Sequence, residues 1–334
     1  MRPAELFDAL QKGYSPREED LVPLMSDEYE QELFDLAHKI KLSRFGNEVR
    51  IRAILEFSNF CRRQCRYCGL NSHNPKIGRY RMEPEAIVEQ TLRAWEAGYK
   101  TIVLQSGEDP YFTADTVCEI LREIKRRCSI AVTLSLGERD FEDYRQFKAC
   151  GADRYLLKHE TADEKIYSSL HPCGTLQNRV ACLRELKRLG YETGSGFMIG
   201  LPGQTAATIA KDLLLLRSIP CDMAGIGPFI PHPQTELKDR SPGSTRMTAR
   251  AVAAARLLLP EANLPATTSL GVLNQAENRH VFSCGANVIM KKVTPPEFQQ
   301  LYEIYPSPKA EKLDIPGDRR ALEESLRTLG LDPV

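Results

Sequence analysis

Eight short apolar runs alternate with amphipathic helical stretches between residues 49 and 305, and this alternation constrains the fold more than any other feature. Side chains repeat about every two residues in a strand and every 3.6 in a helix, so the runs are predicted as strands and the stretches as helices. The predicted strands are residues 51–56, 101–105, 131–135, 154–157, 192–199, 223–229, 264–268 and 286–290. Eight such units over about 250 residues predict an α/β fold, a complete (β/α)8 TIM-type barrel.

Proline and glycine mark several of the predicted helix ends. Pro84 opens the helix at 84–97, and Gly190 follows the helix at 176–189. Residues 1–48 are predicted as a helical cap at the bottom of the barrel, which itself spans 49–305. Residues 306–334 are predicted as a C-terminal extension with one more outer helix at 316–333. We therefore expect a single domain over residues 1–334.

Composition excludes several classes of partner. The 334 residues are 42% hydrophobic, enough for one large core, and the 45 basic residues are balanced by 45 acidic ones. A balanced charge gives no reason to expect nucleic acid as a partner. No apolar run approaches the roughly eighteen residues of a membrane span, and the first residues lack the apolar segment of a secretory signal. A cytoplasmic protein with no membrane contact is expected.

Three of the ten cysteines lie within eight residues, in Cys61-Arg-Arg-Gln-Cys65-Arg-Tyr-Cys68. Soft thiolate ligands select iron-sulfur or zinc centres, but a structural zinc and an ordinary electron-transfer cluster each need four protein ligands. No histidine or second CxxC lies near enough in sequence to complete the set. The spacing therefore indicates a cluster with one iron left open for a substrate or cofactor. Three incidental loop cysteines are the alternative.

Unusual polar residues follow several predicted strands, where a barrel places its chemistry. Arg154 and Lys158 fall on one face of strand 4, which predicts two cations in or over the lumen, although solvated charges on an edge strand would give the same pattern. Thr267 and Thr268 end strand 7 with hydroxyls that can hold an anion, but such pairs are common in ordinary strand packing. These residues alone predict a small polar or anionic ligand inside the barrel.

The CxxxCxxC motif with the aromatic Tyr67 before its last cysteine resembles the radical S-adenosylmethionine (SAM) superfamily. There, the methionine amino and carboxylate groups chelate the open iron, and an electron from the cluster cleaves the sulfonium to give a 5'-deoxyadenosyl radical. The resemblance implies one 4Fe-4S cluster on Cys61, Cys65 and Cys68, with SAM as the second cofactor.

The same resemblance implies further SAM contacts. Residues 106–108 resemble a glycine-glycine-glutamate segment with Ser106 in place of the first glycine, and residues 198–205 resemble the strand and turn that contact adenine. His159 is assigned no role. The implied SAM-binding residues are Tyr67, Ser106, Gly107, Glu108, Ser135, Glu160, Arg179, Met198, Ile199 and Leu201.

Longer stretches resemble the HydE family, the SAM-dependent maturases of FeFe-hydrogenases. They include IRAILEFSNFCRRQCRYCGL, TIVLQSGEDPY, GADRYLLKHETA, DMAGIGPFIPHP and LYEIYP. This resemblance implies an anion-binding cavity lined by Arg154, Lys158, Met223, Thr267, Thr268 and Tyr302. Lys158 stands where many relatives carry arginine, which replaces a rigid fork by a point charge. Residues 306–334 contain no cysteine, so the accessory cluster of some relatives is expected to be absent.

The resemblance implies an enzyme that acts on a small sulfur-containing, cysteine-bound iron carbonyl cyanide precursor of the hydrogenase active site. A reductant protein and other hydrogenase maturases are the expected partners. Three alternatives stay open: an amino-acid mutase like methylornithine synthase, a sulfur inserter like biotin synthase, and a non-catalytic iron-sulfur carrier. Sulfur insertion is disfavoured because it needs a second cluster, and the other cysteines fall mainly in predicted helices.

Overall fold

The computed structural model describes residues 1–309 and 311–334, and its centre is a sheet of parallel strands. The strands are β1 (Glu48–Ser58), β2 (Thr101–Ser106), β3 (Ala131–Ser135), β4 (Arg154–Leu156), β5 (Glu192–Ser195), β6 (Met198–Ile199), β7 (Met223–Ala224), β8 (Gly227–Pro228), β9 (Pro265–Ala266), β10 (Val288–Lys292) and β11 (Asp332–Pro333). Strand β1 is the most deeply buried, since every residue from Ile51 to Ser58 is buried.

The strands close into a barrel. Their hydrogen-bonded order is β7, β5, β4, β3, β2, β1, β10 and β9. The remaining gap between β7 and β9 is closed by a parallel bridge between Met223 and Asn263. Two backbone hydrogen bonds support this bridge, from Ala224 N to Asn263 O at 3.0 Å and from Asn263 N to Asp222 O at 2.9 Å. The predicted (β/α)8 barrel is therefore confirmed.

Two predicted strands are interrupted, which corrects the sequence interpretation. The runs at 192–199 and 223–229 each split into two short strands, and β6 pairs with β8 beyond the break. Gly196 and Gly225 lie at the breaks, and a β-carbon on Gly196 would stand 2.0 Å from the carbonyl oxygen of Gly225. The absence of side chains lets the two backbones approach and bend together.

Fourteen α-helices surround the sheet or extend from it in the described part of the chain, together with two short 3-10 helices, Val22–Met25 and Val281–Cys284. The α-helices are α1 (Pro3–Gln11), α2 (Glu18–Leu21), α3 (Glu30–Phe45), α4 (Pro84–Glu96), α5 (Ala114–Arg127), α6 (Phe141–Ala149), α7 (Glu164–Leu170), α8 (Leu176–Arg188), α9 (Ala206–Ser218), α10 (Thr245–Leu258), α11 (Thr268–Leu273), α12 (Gln275–His280), α13 (Pro296–Gln299) and α14 (Ile315–Arg327). None of these described helices has both the length and the apolar character needed to cross a membrane.

Hydroxyl side chains fix where several barrel helices begin. Thr113, Thr175, Thr205 and Ser244 are the N-caps of α5, α8, α9 and α10, and each accepts a hydrogen bond from a backbone N–H in the first turn of its helix. Such caps satisfy donors that the helix itself leaves unpaired. They also set the direction in which each strand-to-helix loop leaves the barrel.

The two ends of the chain pack against the barrel. Helix α3 contacts α10, and α2 contacts α9. At the other end, the predicted helix at 316–333 is shorter than expected, because α14 ends at Arg327 and the chain returns as β11. Strand β11 pairs in parallel with the start of β1, at Glu48 and Val49. Ala310, within the predicted extension 306–334, lies outside the described residues.

Candidate functional site

A cavity of about 230 Å³ lies inside the barrel, lined by strand residues and by residues of the loops that follow the strands. Its wall combines apolar residues with polar side chains from several strands. The predicted site residues on its wall are Tyr67, Lys158, Glu160, Met198, Met223, Thr267, Thr268 and Tyr302. The fold thus brings residues from both the predicted SAM set and the predicted substrate set around one space.

Arg154 does not line this cavity. Its Nε donates to Glu192 at 2.6 Å and its Nη1 donates to Thr101 at 3.1 Å, so it sits where strands β2, β4 and β5 begin. Lys158 lies beyond the other end of β4 and reaches the cavity. The two predicted cations therefore occupy different levels of the barrel.

The cysteine loop lies across the top of β1 and is fastened from several sides. The Arg62 N–H donates to Glu108 O at 3.0 Å, the Arg66 N–H donates to Leu170 O at 3.1 Å, and the Gly69 N–H donates to Ile304 O at 2.9 Å. The Glu108 N–H also points at Cys61 Sγ, at 3.4 Å. A loop held this firmly presents its thiols in a fixed arrangement.

The three thiols influence one another electrostatically. Burial, and after it the neighbouring Cys61, raise the pKa of Cys65 to about 12. Burial and then Cys65 and Cys61 raise the pKa of Cys68. Thiols of this kind hold their protons until a metal replaces them, so metal binding is expected to release protons.

The donor set is three soft thiols on one loop, which suits the ligation of an iron-sulfur cluster. A cubic cluster contacts each cysteine through a different iron atom, so three cysteines leave one iron free. Gly107 adds to the fit, because a β-carbon there would stand 2.7 Å from Cys61 Cβ and displace the loop.

A charged network behind the loop was missing from the sequence interpretation. The Glu138 carboxylate accepts from Arg179 Nε at 2.6 Å and from Arg63 Nη2 at 2.8 Å. Glu108 accepts from Arg63 Nε at 2.5 Å and from the Glu138 N–H at 2.9 Å. Burial alone would raise the pKa of Glu138, but the charge of Arg179 and the hydrogen bonds outweigh it and lower the pKa. Glu108, predicted to face SAM, is thus directed toward arginine.

The network holds Arg179 in place without using all of its N–H donors. Besides its bond to Glu138, Arg179 donates from Nη1 to the carbonyl oxygen of Lys158 at 2.6 Å. Its guanidinium and Cys65 border the same small recess. A second recess residue, Tyr167, has a buried hydroxyl without a hydrogen-bond partner. Arg179 therefore places an oriented cation beside Cys65.

Glu160 is the predicted SAM residue with the most unusual backbone. Its φ is 65°, the left-handed region that side chains other than glycine rarely adopt. One carboxylate oxygen, Oε2, is buried without a hydrogen-bond partner, although the side chain lines the cavity. A buried carboxylate oxygen of this kind needs a donor, and a bound ligand can supply one.

The other predicted SAM residues lie at strand ends or in apolar clusters, and Ser106, Ser135, Ile199 and Leu201 are not part of the cavity wall. Ser106 and Ser135 close strands β2 and β3, and the Ser106 hydroxyl donates to Gly107 O at 2.7 Å. Leu201 is buried with Ile166, Leu170 and Phe229, and the side chains of Tyr67 and Met198 pack against this apolar cluster. Ile199 is buried in the main core. Leu201, Met198 and Tyr67 of the cysteine loop therefore form an apolar wall.

Two charged side chains of β1 enter the cavity and were also missed. Arg52 donates to the Met223 sulfur at 2.9 Å, and burial followed by the charge of Arg154 lowers its pKa to about 10. Glu56 pairs with Lys292 at 3.0 Å, and burial raises the pKa of Glu56 despite that partner. The signal was present in the sequence, because residues four apart on an apolar strand face the same side.

Hydroxyl and amide groups complete the polar lining. The Gln105 side chain donates to the Tyr302 hydroxyl at 3.1 Å, and the hydroxyls of Thr267 and Ser269 lie 3.4 Å apart. Gly225 leaves room for Lys158, since a β-carbon at Gly225 would stand 3.3 Å from Lys158 Cε. The predicted lysine and threonines therefore belong to the polar part of one cavity wall.

A closed parallel barrel with three cysteines on the loop after β1 and an enclosed cavity of mixed apolar and polar lining is typical of barrel enzymes that would bind a cofactor above an enclosed substrate. Comparison with known proteins agrees with this class. The model of the radical SAM superfamily matches residues 55–216. The FeFe-hydrogenase maturase subunit HydE of Thermotoga maritima is 48% identical over 304 residues, which cover 90% of this chain and 87% of that protein. The chain therefore belongs to the radical SAM superfamily of enzymes and, within it, to the HydE family.

Other relatives share the same architecture. The 3-methylornithine synthase of Methanosarcina acetivorans is 29% identical over 283 residues, 83% of this chain and 80% of that protein. The crystal structure of methylornithine synthase PylB superimposes with a TM-score of 0.84 at 25% identity, covering 98% of this chain and 97% of that one. The hydrogenase maturase HydG superimposes with a TM-score of 0.83 at 19% identity and covers 99% and 75% of the two chains, which supports the fold alone.

Proposed function

We propose that this radical SAM enzyme takes part in assembling the active-site cluster of FeFe-hydrogenases, by cleaving SAM reductively and acting on a small sulfur-containing, cysteine-bound iron carbonyl cyanide precursor. The observation that carries the proposal is the 48% identity to HydE across nine tenths of the chain, together with a barrel cavity whose lining includes Arg52 and Lys158. A reductant protein and other hydrogenase maturases are the proposed partners.

Cys61, Cys65 and Cys68 are proposed to hold one 4Fe-4S cluster. When bound, the cluster and SAM supply one electron and a 5'-deoxyadenosyl radical. Arg179 is assigned to the SAM carboxylate, because it borders the recess of Cys65 and is already oriented by Glu138. Glu160 is assigned to the ribose hydroxyls or the ammonium group, because its Oε2 is buried and unpaired.

The remaining SAM contacts are proposed around these two. Backbone groups at Ser106 and Gly107 approach the loop closely, since Gly107 carries no β-carbon to hold them away. The apolar wall formed by Tyr67, Met198 and Leu201 suits one face of adenine. Ser135, at the end of β3, and Ile199, buried in the main core, are assigned to the same SAM site, and Glu108 acts through Arg63. Each of these groups binds or orients, and none needs to exchange a proton.

The substrate is proposed to lie deeper in the cavity. Lys158 supplies the positive charge, Thr267 and Thr268 supply hydroxyl donors, and Met223 gives a soft wall. Gln105 orients the Tyr302 hydroxyl through its hydrogen bond. Arg154, paired with Glu192 outside the cavity wall, is not assigned to the substrate. Enclosure by strands on all sides keeps water from a reactive radical.

The test is anaerobic reconstitution with iron and sulfide, followed by reduction and addition of SAM. We expect 5'-deoxyadenosine by chromatography, and consumption of a cysteine-bound iron carbonyl cyanide complex when it is supplied. SAM binding without 5'-deoxyadenosine would identify a non-catalytic carrier and overturn the proposal.

A mutase resembling methylornithine synthase is the second candidate, because PylB superimposes on nearly the whole chain. An enclosed cavity with a cation and paired hydroxyls would also suit an amino acid. The same assay separates the two: lysine consumption without reaction of the iron complex would favour the mutase.

A further inference from the structure

Glu160 has a conformation that must be held by its surroundings. Among the described residues it is the one residue other than glycine with a positive φ, 65°. The left-handed region is sterically unfavourable for a residue with a β-carbon. Such a conformation persists where neighbouring contacts determine it, and these sites are often functional. The contacts that hold Glu160 are therefore informative.

Backbone hydrogen bonds fasten Glu160 on one side. Its N–H donates to Gly196 O at 3.0 Å, and its carbonyl oxygen accepts from the Met198 N–H at 3.1 Å. These bonds join Glu160 to the break between β5 and β6. They set the position of Glu160 relative to the barrel strands. The segments immediately before and after Glu160 are held by other contacts.

Those contacts come from side chains buried beneath the segment. The backbone N–H of His159 donates to Ser195 Oγ at 3.2 Å, and the His159 ring nitrogen Nδ1 lies 2.9 Å from the same oxygen. On the other side of Glu160, the Ala162 N–H donates to the carboxylate of Asp212 in α9. His159 and Asp212 thus hold the residues immediately before and shortly after Glu160.

His159 and Asp212 also face each other. Nε2 of His159 lies 3.5 Å from Oδ1 of Asp212, within ion-pair range but longer than a good hydrogen bond. Both side chains are fully buried. Burial raises the pKa of Asp212, while His159 is the partner that opposes this increase. The pair therefore links the segment after β4 to helix α9.

Serine, histidine and aspartate are also the residues of a nucleophilic triad, so that role needs to be considered. Ser195, His159 and Asp212 each have 0% exposed surface. A nucleophile must meet its substrate, and none of these side chains lines the cavity. The three residues are placed to hold the backbone and not to react.

We propose that His159 and Asp212 are positioning residues that keep Glu160 in its left-handed conformation, so that its carboxylate is aimed at SAM. This inference rests on the proposed function, in which Glu160 contacts SAM. It makes Asp212, a residue of an outer helix, a determinant of SAM affinity.

The test is a double-mutant cycle on SAM affinity, measured by equilibrium dialysis of the reconstituted protein. Asp212→Ala removes both the partner of His159 and the acceptor for Ala162, and Asp212→Asn keeps an acceptor but removes the charge. We expect Asp212→Ala to weaken SAM binding about tenfold and Asp212→Asn to weaken it less. In a Glu160→Gln background, both substitutions should have little further effect.

Asp222→Asn is the matched control. Asp222 accepts from Lys187 Nζ at 2.6 Å and from the Thr193 N–H at 2.8 Å, so it also joins a helix to a strand, but far from Glu160. This substitution should leave SAM affinity unchanged. Iron content in every variant separates SAM binding from cluster loss. Should Asp212→Ala fail to fold, the cycle is completed with Asp212→Asn and Ser195→Ala.

The outcomes are distinguishable. If the Asp212 substitutions weaken SAM binding equally with and without Glu160, or do not weaken it while Glu160→Gln does, the positioning role is refuted and the proposed function stands. If Glu160→Gln itself binds SAM as the unaltered protein does, the assignment of Glu160 within the proposed function fails.

Discussion

Gly107 lies directly against Cys61: a β-carbon at Gly107 would stand 2.7 Å from Cys61 Cβ and 2.2 Å from the Phe60 carbonyl oxygen. Backbone cannot yield as a flexible side chain can, so the cysteine loop would have to move. The positions of the three thiols therefore depend on the close approach of Gly107, just after strand β2, to the cysteine loop.

Substitution of Gly107 by alanine is expected to lower cluster incorporation strongly. The added methyl group displaces the loop and separates Cys61 from the other two thiols. Iron content after anaerobic reconstitution measures the effect. Gly271→Ala is the control, because its nearest contact would be an ordinary 3.4 Å from Asn278, and full iron content in Gly107→Ala would contradict the role given to this approach.

Cys65→Ser is expected to abolish the cluster, because two thiolates cannot hold a cubic cluster firmly. Iron content and electron paramagnetic resonance of the reduced protein are the measurements. Cys173 is a well-matched control, since it borders the same recess as Cys65 but is exposed. Cys173→Ser should keep its iron, and a tetrahedral zinc in the unaltered protein would exclude the cluster altogether.

Lys158→Met is expected to impair substrate use while sparing SAM cleavage. The substitution keeps the length of the side chain and removes its charge from the cavity, so KM for an anionic substrate should rise by about tenfold or more. Formation of 5'-deoxyadenosine without substrate should be retained. Lys187→Met removes a comparable lysine, paired with Asp222 outside the cavity, and should change neither quantity. An unchanged KM in Lys158→Met would remove Lys158 from the substrate site.

Asp109 gives a prediction about pH and stability. Its carboxylate accepts from Arg81 at 2.7 and 3.0 Å and from Ser58 at 2.7 Å. Burial alone would raise its pKa, but these hydrogen bonds outweigh burial and hold the pKa below its usual value. Asp109→Asn should therefore lower the free energy of unfolding by about 2 kcal/mol at neutral pH.

The sign follows from linkage. A carboxylate whose pKa is lower in the folded state stabilises the fold above its unfolded pKa, near 4, and loses that contribution as pH falls through the folded pKa. The difference between the unaltered protein and Asp109→Asn should therefore shrink in acid. Urea unfolding at pH 7 and pH 3 tests this, and a constant difference would contradict it.

The barrel could be predicted from the sequence because each strand is a compact apolar run with a helix after it. The breaks at Gly196 and Gly225 could not, since a glycine in an apolar run fits a continuous strand as well as a bend. What decides between them is the contact between the two glycines, which lie 29 residues apart in sequence but side by side in the barrel.

The site residues also divide into those that the sequence predicts and those that only the folded chain reveals. Motif spacing was enough to single out the cysteines, and strand alternation placed Arg154 and Lys158 on one face. Alternation does not give a residue's position along the barrel axis, because residues four apart on a strand are separated by about 13 Å. Arg154 therefore pairs with Glu192 outside the cavity, whereas Lys158 lines it. Glu138 was missed because its importance arises from contacts with Arg63 and Arg179, which only the folded chain brings together.

The junction between β7 and β9 has a consequence for motion. The barrel is joined there by one residue bridge and its two flanking hydrogen bonds, whereas β1 and β2 pair over five residue positions. Opening of the sheet should therefore begin at this seam, with amide protons at Ala224 and Asn263 exchanging earlier than those of β1 and β2. Met223 and Asn263 also line the cavity. Local opening at this junction would therefore widen the cavity on one side and admit a ligand larger than the cavity volume of the closed barrel.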